Sequence, residues 1–412
     1  MAELMGSRGT MNTSPAACHH SMEDRPVDAT PAPSNPLAGA SRAVALEVLL
    51  RGPVPRSEIA RRLALSAGSL TRLAKPLIDS GLLVEVGTSR EARTGRPIRP
   101  LDINPTAHHF VGAKVTSDEV HVVITTLRAE VIASAHAALP GRDPDSVVDT
   151  IRTLTGELTA GGPRITAAGV CLGGRVAHHA TVTAAPFLEW SEDVPLGRLL
   201  TDALGFPTAV DNDLLALTRA EHWFGAARGH DRFAVVTIGA GVGYGLVIHD
   251  TIVDSPDAGF GLLGHYPLDP LGPLCPSGHR GCATAMLTHS SICAAVSVGL
   301  RRSVTYDECL DLAASGDPVA EPVVTAAGRA LGRLIAAAAN FTLVQKIVLT
   351  GEGIRLAEVA RAAVDEGVRA DRDPGFAALD LDIRPSDFTQ WARGAAVTAI
   401  QTYVLDDTPV AG

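Results

Sequence analysis

The sequence predicts an α/β protein in which a small winged helix-turn-helix precedes a two-lobed body. Three observations carry this. Residues 39–104 show three short helical patterns and then a hairpin pattern, strands and helices alternate from about Phe110 onward, and charge is split between the two regions. The 412 residues have a formal net charge of −10. Residues 39–104 nevertheless hold eleven Arg and Lys against six Asp and Glu, a net of +5, while residues 105–412 hold 22 against 35, a net of −13. A basic unit joined to an acidic one reads as a binding module attached to something else.

Composition narrows the class. With 46% hydrophobic and 19% charged residues the chain is globular, and at 4% aromatics its core is built from Ala, Val, Leu and Ile. No apolar run approaches the roughly 18 residues of a membrane span. The N-terminus lacks a signal-like run, so the chain is expected in the cytoplasm with no membrane partner. Six cysteines in this length are too sparse for a disulfide scaffold.

Residues 1–38, with PAPSNP at 31–36, read as a disordered tail. From Ser41, Val44, Leu46, Val48, Leu49 and Leu50 mark a helix that stops at Arg51-Gly52-Pro53. Ser57 is expected to cap a short helix from Glu58 to about Ala64, and Ser66 to cap the next, which runs toward Gly81 with a kink or early end at Pro76. LLVEVG and IRPLDI are then strands around the polar turn SREARTGRP. Beyond Phe110, strands are expected at FVGAKV, EVHVVIT, ITAAGVCLG, FAVVTIGAG, YGLVIHD and KIVLTG, with helices over 144–160, 213–225, 284–300 and 324–342.

In a helix-turn-helix the start of the second helix enters the major groove. Here that segment is Ser66 to Arg72. Leu70 and Leu73 face the core, leaving Ser66, Ser69, Thr71 and Arg72 for DNA, with Arg72 suited to phosphate or guanine. The hairpin tip carries Arg93, Gly95 and Arg96 in a slim basic segment that fits an A·T-rich minor groove.

RSEIARRLALSAGSLTRLAKPLIDSGLLVEVG followed by TGRPIRPL resembles the N-terminal module of regulators in the ROK family of repressors and sugar kinases, and the resemblance extends from about residue 40 to the end. It implies a winged helix-turn-helix followed by a two-lobed actin-like ATPase (sugar-kinase) fold. The domains it implies are a reading head at 39–104, a first lobe of about 105–228 plus 385–412, and a second lobe of about 229–384. The family's first phosphate loop, Asp-x-Gly-Gly-Thr, falls on Lys114 to Asp118 without its carboxylate or glycines. The second resembles the run Gly239, Gly241, Gly243, Gly245, and TGEGI at 350–354 resembles the loop near adenosine.

VDNDLLALTRAE resembles the family's Asn-Asp motif, which makes Asn212 and Asp213 sugar-binding and Asp213 the position of the kinases' general base; an Asn-Asp helix cap explains the same residues. Asp213 is expected both to cap the helix and to line the cleft. The family's Gly-Glu-x-Gly-His segment keeps His265, for sugar and metal, but has Leu262 for its Glu, and Thr284 stands where a second Glu belongs. A standard hexose is therefore disfavoured and a modified sugar with apolar groups fits better.

The family's zinc is held by that His and three Cys. Here Cys275 and Cys282 remain, Ser277 replaces the middle cysteine, and His279 can supply a fourth donor, giving His265, Cys275, His279 and Cys282; loss of zinc is the alternative. The resulting expectation is a repressor of carbohydrate-related genes that forms a homodimer or higher homo-oligomer, with a double-stranded DNA operator and a carbohydrate effector as partners and no catalysis. An active ROK sugar kinase carrying a DNA-binding module is the competing class.

Overall fold

The computed structural model describes residues 41–87, 89–90, 97–255, 262–385 and 387–405. The expected tail and the wing-tip residues Arg93, Gly95 and Arg96 lie outside the described residues. The head comprises α1 (Ser41–Arg51), α2 (Arg56–Arg62), α3 (Ala67–Asp79), β1 (Leu83–Glu85), β2 (Ser89–Arg90), β3 (Pro97–Ile98) and β4 (Leu101–Ile103). β1 pairs with β4, and β2 with β3, both antiparallel.

In α3, Leu70, Ala74 and Leu77 recur once per turn and are buried, while Ser66 Oγ caps the helix by accepting the Ser69 amide at 3.0 Å. Gly81, at φ +76, takes the left-handed turn that ends it. One local expectation is corrected. α2 begins at Arg56 with Pro55, not Ser57, at the cap position, because the Pro55 carbonyl accepts the amides of Glu58 and Ile59. Of the two outcomes expected at Pro76, the early end does not occur: α3 runs through it to Asp79, since that proline lies on the exposed face, where solvent can serve the carbonyl left without a donor.

The body opens with β5 (His109–Val115), β6 (Glu119–Thr126), β7 (Val131–Ala138), α4 (Pro144–Thr159), β8 (Ile165–Leu172), β9 (Arg175–Ala177), β10 (Thr181–Ala184), α5 (Leu196–Leu204), β11 (Thr208–Asn212) and α6 (Asp213–Phe224). It continues with β12 (Arg232–Ile238), β13 (Val242–Ile248), β14 (Thr251–Ile252), α7 (Ala283–Leu287), α8 (His289–Leu300), α9 (Tyr306–Ala314), α10 (Ala320–Thr342), β15 (Lys346–Thr350), α11 (Arg355–Val359), α12 (Arg361–Asp371), β16 (Asp380–Ile383) and α13 (Phe388–Leu405).

Two five-stranded sheets result, ordered β11-β8-β5-β6-β7 and β14-β13-β12-β15-β16. Each is a three-stranded antiparallel meander extended by two parallel strands, so one topology occurs twice. The helix expected over 284–300 is two, because Thr288 is extended (φ −75, ψ 150) and caps α8 by accepting the Ser291 amide. No helix among the described residues is long and apolar enough to cross a membrane.

α13 lies flat on the first sheet because glycine occupies the contact points: a Cβ on Gly112 or Gly169 would fall inside the carbonyl of Ala392 or Ala395. Its far end reaches the head. Val48 and Leu49 of α1, Leu70 of α3, Phe110, Ile400 and Val404 belong to one buried cluster. Arg128 donates to the Val48 carbonyl at 3.3 Å and pairs with Asp102, and Arg228 donates to the Leu50 carbonyl. Head and first sheet therefore share a core.

Candidate functional site

Helix α3 presents its N-terminal half to solvent. The hydroxyls of Ser66 and Ser69 lie 2.9 Å apart within the cap, and Thr71 Oγ1 donates to the Ala67 carbonyl at 2.9 Å. Arg72 extends a charged group from the same exposed face. Of the four residues, the two serines thus hold the helix start while Thr71 and Arg72 shape its outer surface.

The second candidate region is the cleft edge of the first sheet, where β11 ends and α6 begins. The cap of α6 is Asn212, not Asp213: its Oδ1 accepts the amides of Leu214 and Leu215 at 2.9 and 3.2 Å, and its Nδ2 donates to the Gly174 carbonyl at 2.9 Å. Only 2% of Asn212 is exposed, so its amide is largely consumed by the fold. Asp213 stands one residue into the helix. One of its oxygens accepts the Leu214 amide at 2.8 Å, and the other is paired with the Lys114 ammonium.

Lys114 is buried at the end of β5, with Trp391 of α13 beneath it at 5.2 Å from ammonium to ring centre. Burial alone would push that ammonium toward neutrality, but the Asp213 carboxylate together with the neighbouring Cys171 and Glu352 outweighs it and holds the lysine above its ordinary value. The Asp213 carboxylate is thus occupied by an internal cation. Across the cleft, Glu352 lies against the backbone of Gly239 in the glycine hairpin, and burial pushes its carboxyl above the usual range. Thr284 Oγ1 donates to the Gly264 carbonyl at 2.8 Å and so serves the backbone. Sequence reasoning placed Lys114 but not its partner, and missed Glu352 and Trp391; the TGEGI glycines were the available signal for Glu352.

The third region is a donor cluster. His265 Nδ1 is 3.8 Å from both Cys275 Sγ and Cys282 Sγ, and His279 Nδ1 is 3.7 Å from Cys275 Sγ. Bonds of about 2.3 Å to sulfur and 2.0 Å to nitrogen around a tetrahedral centre separate such donors by roughly 3.5 Å, so the spacing suits a metal ion. His265, Cys275 and His279 are mutually closest, and Cys282 approaches through His265. Burial raises both thiols. At Cys275 the amides of His279 and Ser277 outweigh it and bring the thiol to about 7, whereas Cys282 stays raised.

A sequence profile of the ROK family matches residues 111–401. The chain belongs to the ROK family. Among its relatives, the DNA-binding transcriptional repressor Mlc of Escherichia coli K12 is 24% identical over 339 residues, covering 79% of this chain and 84% of Mlc. The dual regulator NagC of the same organism is 27% identical over 340 residues, covering 79% and 83%. A solved ROK-family transcriptional regulator, a homologue of the E. coli MLC protein, superposes with TM-score 0.75 at 24% identity and covers 90% of this chain and 98% of its own. A ROK glucokinase from Streptomyces griseus, solved with glucose and AMPPNP, reaches TM-score 0.59 at 22% identity over 70% of this chain and 98% of its own. The ROK fold of this chain is thus a winged helix-turn-helix joined to a kinase-like body, the arrangement expected from the sequence.

Proposed function

We propose that this ROK protein is a DNA-binding transcriptional repressor whose kinase-like body senses a carbohydrate and dimerises without transferring phosphate. The observation that carries the reading is the buried Lys114–Asp213 pair, which neutralises the one carboxylate a sugar hydroxyl would need as base, while the exposed face of α3 keeps Thr71 and Arg72. The names of Mlc and NagC as transcriptional regulators support it. We assign 39–104 as the reading head, about 105–228 plus 385–412 as the first lobe and about 229–384 as the second. Ligand closing the cleft would shift the separation of two heads in a symmetric dimer and change its fit to paired half-sites.

His265, Cys275, His279 and Cys282 would hold a zinc ion, which would cross-link their loop and carry no chemistry there. Footprinting on the protein's own upstream DNA, with Arg72→Ala beside the parent, tests the head: the variant should bind more weakly and lose about one unit of salt slope. An unchanged footprint at moderate salt overturns the DNA-contact assignment, and robust ATP-dependent phosphorylation of a hexose overturns the non-catalytic reading.

A further inference from the structure

Helix α3 turns Leu70, Ala74 and Leu77 inward. Its opposite face is made by Gly68, Thr71, Arg72 and Lys75, spaced three and four residues apart, and all four are exposed. Thr71 has its hydroxyl engaged by the Ala67 carbonyl. Lys75 is held by Asp79 at 2.8 Å, and Arg51, Arg56, Arg61 and Arg62 each face a carboxylate as well. Arg72 has no such partner among the described residues. An uncommitted cation therefore stands one turn beyond Gly68 on the same face.

Glycine disfavours a helix more than any residue but proline, so its place at the second position of α3 calls for a reason. Other glycines of the head have one within the chain. A Cβ on Gly52 would fall 2.5 Å from the Val48 carbonyl oxygen, and Gly81 and Gly87 have φ of +76 and +49. Gly68 has neither. Its φ lies outside the left-handed region, and among the described residues a Cβ there would meet only Ser66 Oγ, at 3.9 Å. The side chain is missing where the fold itself would accept one. What remains is a notch of bare backbone on an exposed face, in a head whose net charge of +5 over residues 39–104 suits a polyanion.

Resting on the DNA reading above, we propose that Gly68 is a specificity-determining residue, whose notch lets the backbone of α3 close on a base edge in the major groove while Arg72 engages the duplex beside it. The C5 methyl of thymine is the group whose bulk matches an absent side chain. Hydrogen bonds to bases span about 2.7–3.2 Å and weaken steeply beyond, so a methyl wedged at position 68 would cost contacts across the whole face.

The test measures binding of the full chain to two duplexes of equal length at one salt concentration, one carrying the footprinted upstream site and one with that site scrambled. Gly68→Ala should keep or raise the melting temperature, weaken binding to the site at least tenfold, and weaken binding to the scrambled duplex less than twofold. Arg72→Ala should weaken both. An unchanged affinity of Gly68→Ala for the site overturns the assignment alone. So does an equal loss on both duplexes, which would place a phosphate in the notch, or a lower melting temperature, which would give the glycine to the fold. A parent chain that does not prefer the site to the scrambled duplex overturns the DNA reading together with it.

Discussion

Replacing Lys114 by methionine probes the ion pair on which the proposed non-catalytic reading rests. The lysine is 6% exposed and the Asp213 carboxylate 19%. Removing one partner of a buried ion pair costs about 3–5 kcal/mol because the other charge stays behind unpaired. Asp213 keeps the Leu214 amide and some access to water, so the lower end, about 3 kcal/mol, is expected. Removing both charges in Lys114→Met with Asp213→Leu should return the protein to within about 1 kcal/mol of the parent, giving a large coupling term in the double-mutant cycle. Urea unfolding followed by tryptophan fluorescence measures this, with Trp391 beside the pair as a local reporter.

The pH dependence has a fixed sign. Because the folded state holds Lys114 above its ordinary 10.5, the pair's contribution is complete below that value and disappears only as pH rises through the folded one. The defect of the single variant should therefore be constant through neutral pH and shrink in alkaline solution as Lys114 of the parent loses its proton. A single variant as stable as the parent, or a double variant no better than the single, refutes the pairing.

Three further outcomes are expected. Gly169→Ala drives a methyl into the Ala395 carbonyl and should destabilise the fold by about 1–3 kcal/mol or more as α13 lifts from the sheet, measured by thermal or urea melting. His108, half-buried against Tyr403 and 3.0 Å from Thr166 Oγ1, is held below its ordinary 6.5 by burial. Its contribution is present above 6.5 and is lost as pH falls through the folded value, so His108→Gln should lessen the loss of melting temperature on the acid side. With zinc held as proposed, His279→Ala should lower the metal content of the purified protein, by elemental analysis, whereas Ser277→Cys should retain it.

Much of the fold was legible because it is local. The helix from Ser41 to Arg51, the cap at Ser66 and the alternation after Phe110 each depend on residues within a turn or a strand of one another. α13 escaped because it is buried on nearly all sides and shows no polar stripe to give a helical period, and β7 because its small residues in VIASAHAA carry little apolar contrast. The break at Thr288 needed a cap hydrogen bond rather than a change in hydropathy. At the site, the family resemblance pointed to the donors around Cys275. It could not join Lys114 to Asp213, which stand 99 residues apart on the ends of different elements, nor show that Asn212 spends its amide on the backbone.

The core shared by α1, α3 and α13 bears on how such proteins can be rebuilt. A winged helix on a flexible tether could be exchanged like a cartridge to redirect the protein to another operator. Here Val48 and Leu49 pack into the same cluster as Ile400 and Val404, and Arg128 and Arg228 reach across to the end of α1. A transplanted head would have to bring a matching apolar surface and carbonyl ends, or leave Phe110 and the end of α13 facing water. With α3 reading DNA as proposed, new specificity is more readily introduced on its exposed face, around Thr71 and Arg72, than by exchanging the module whole.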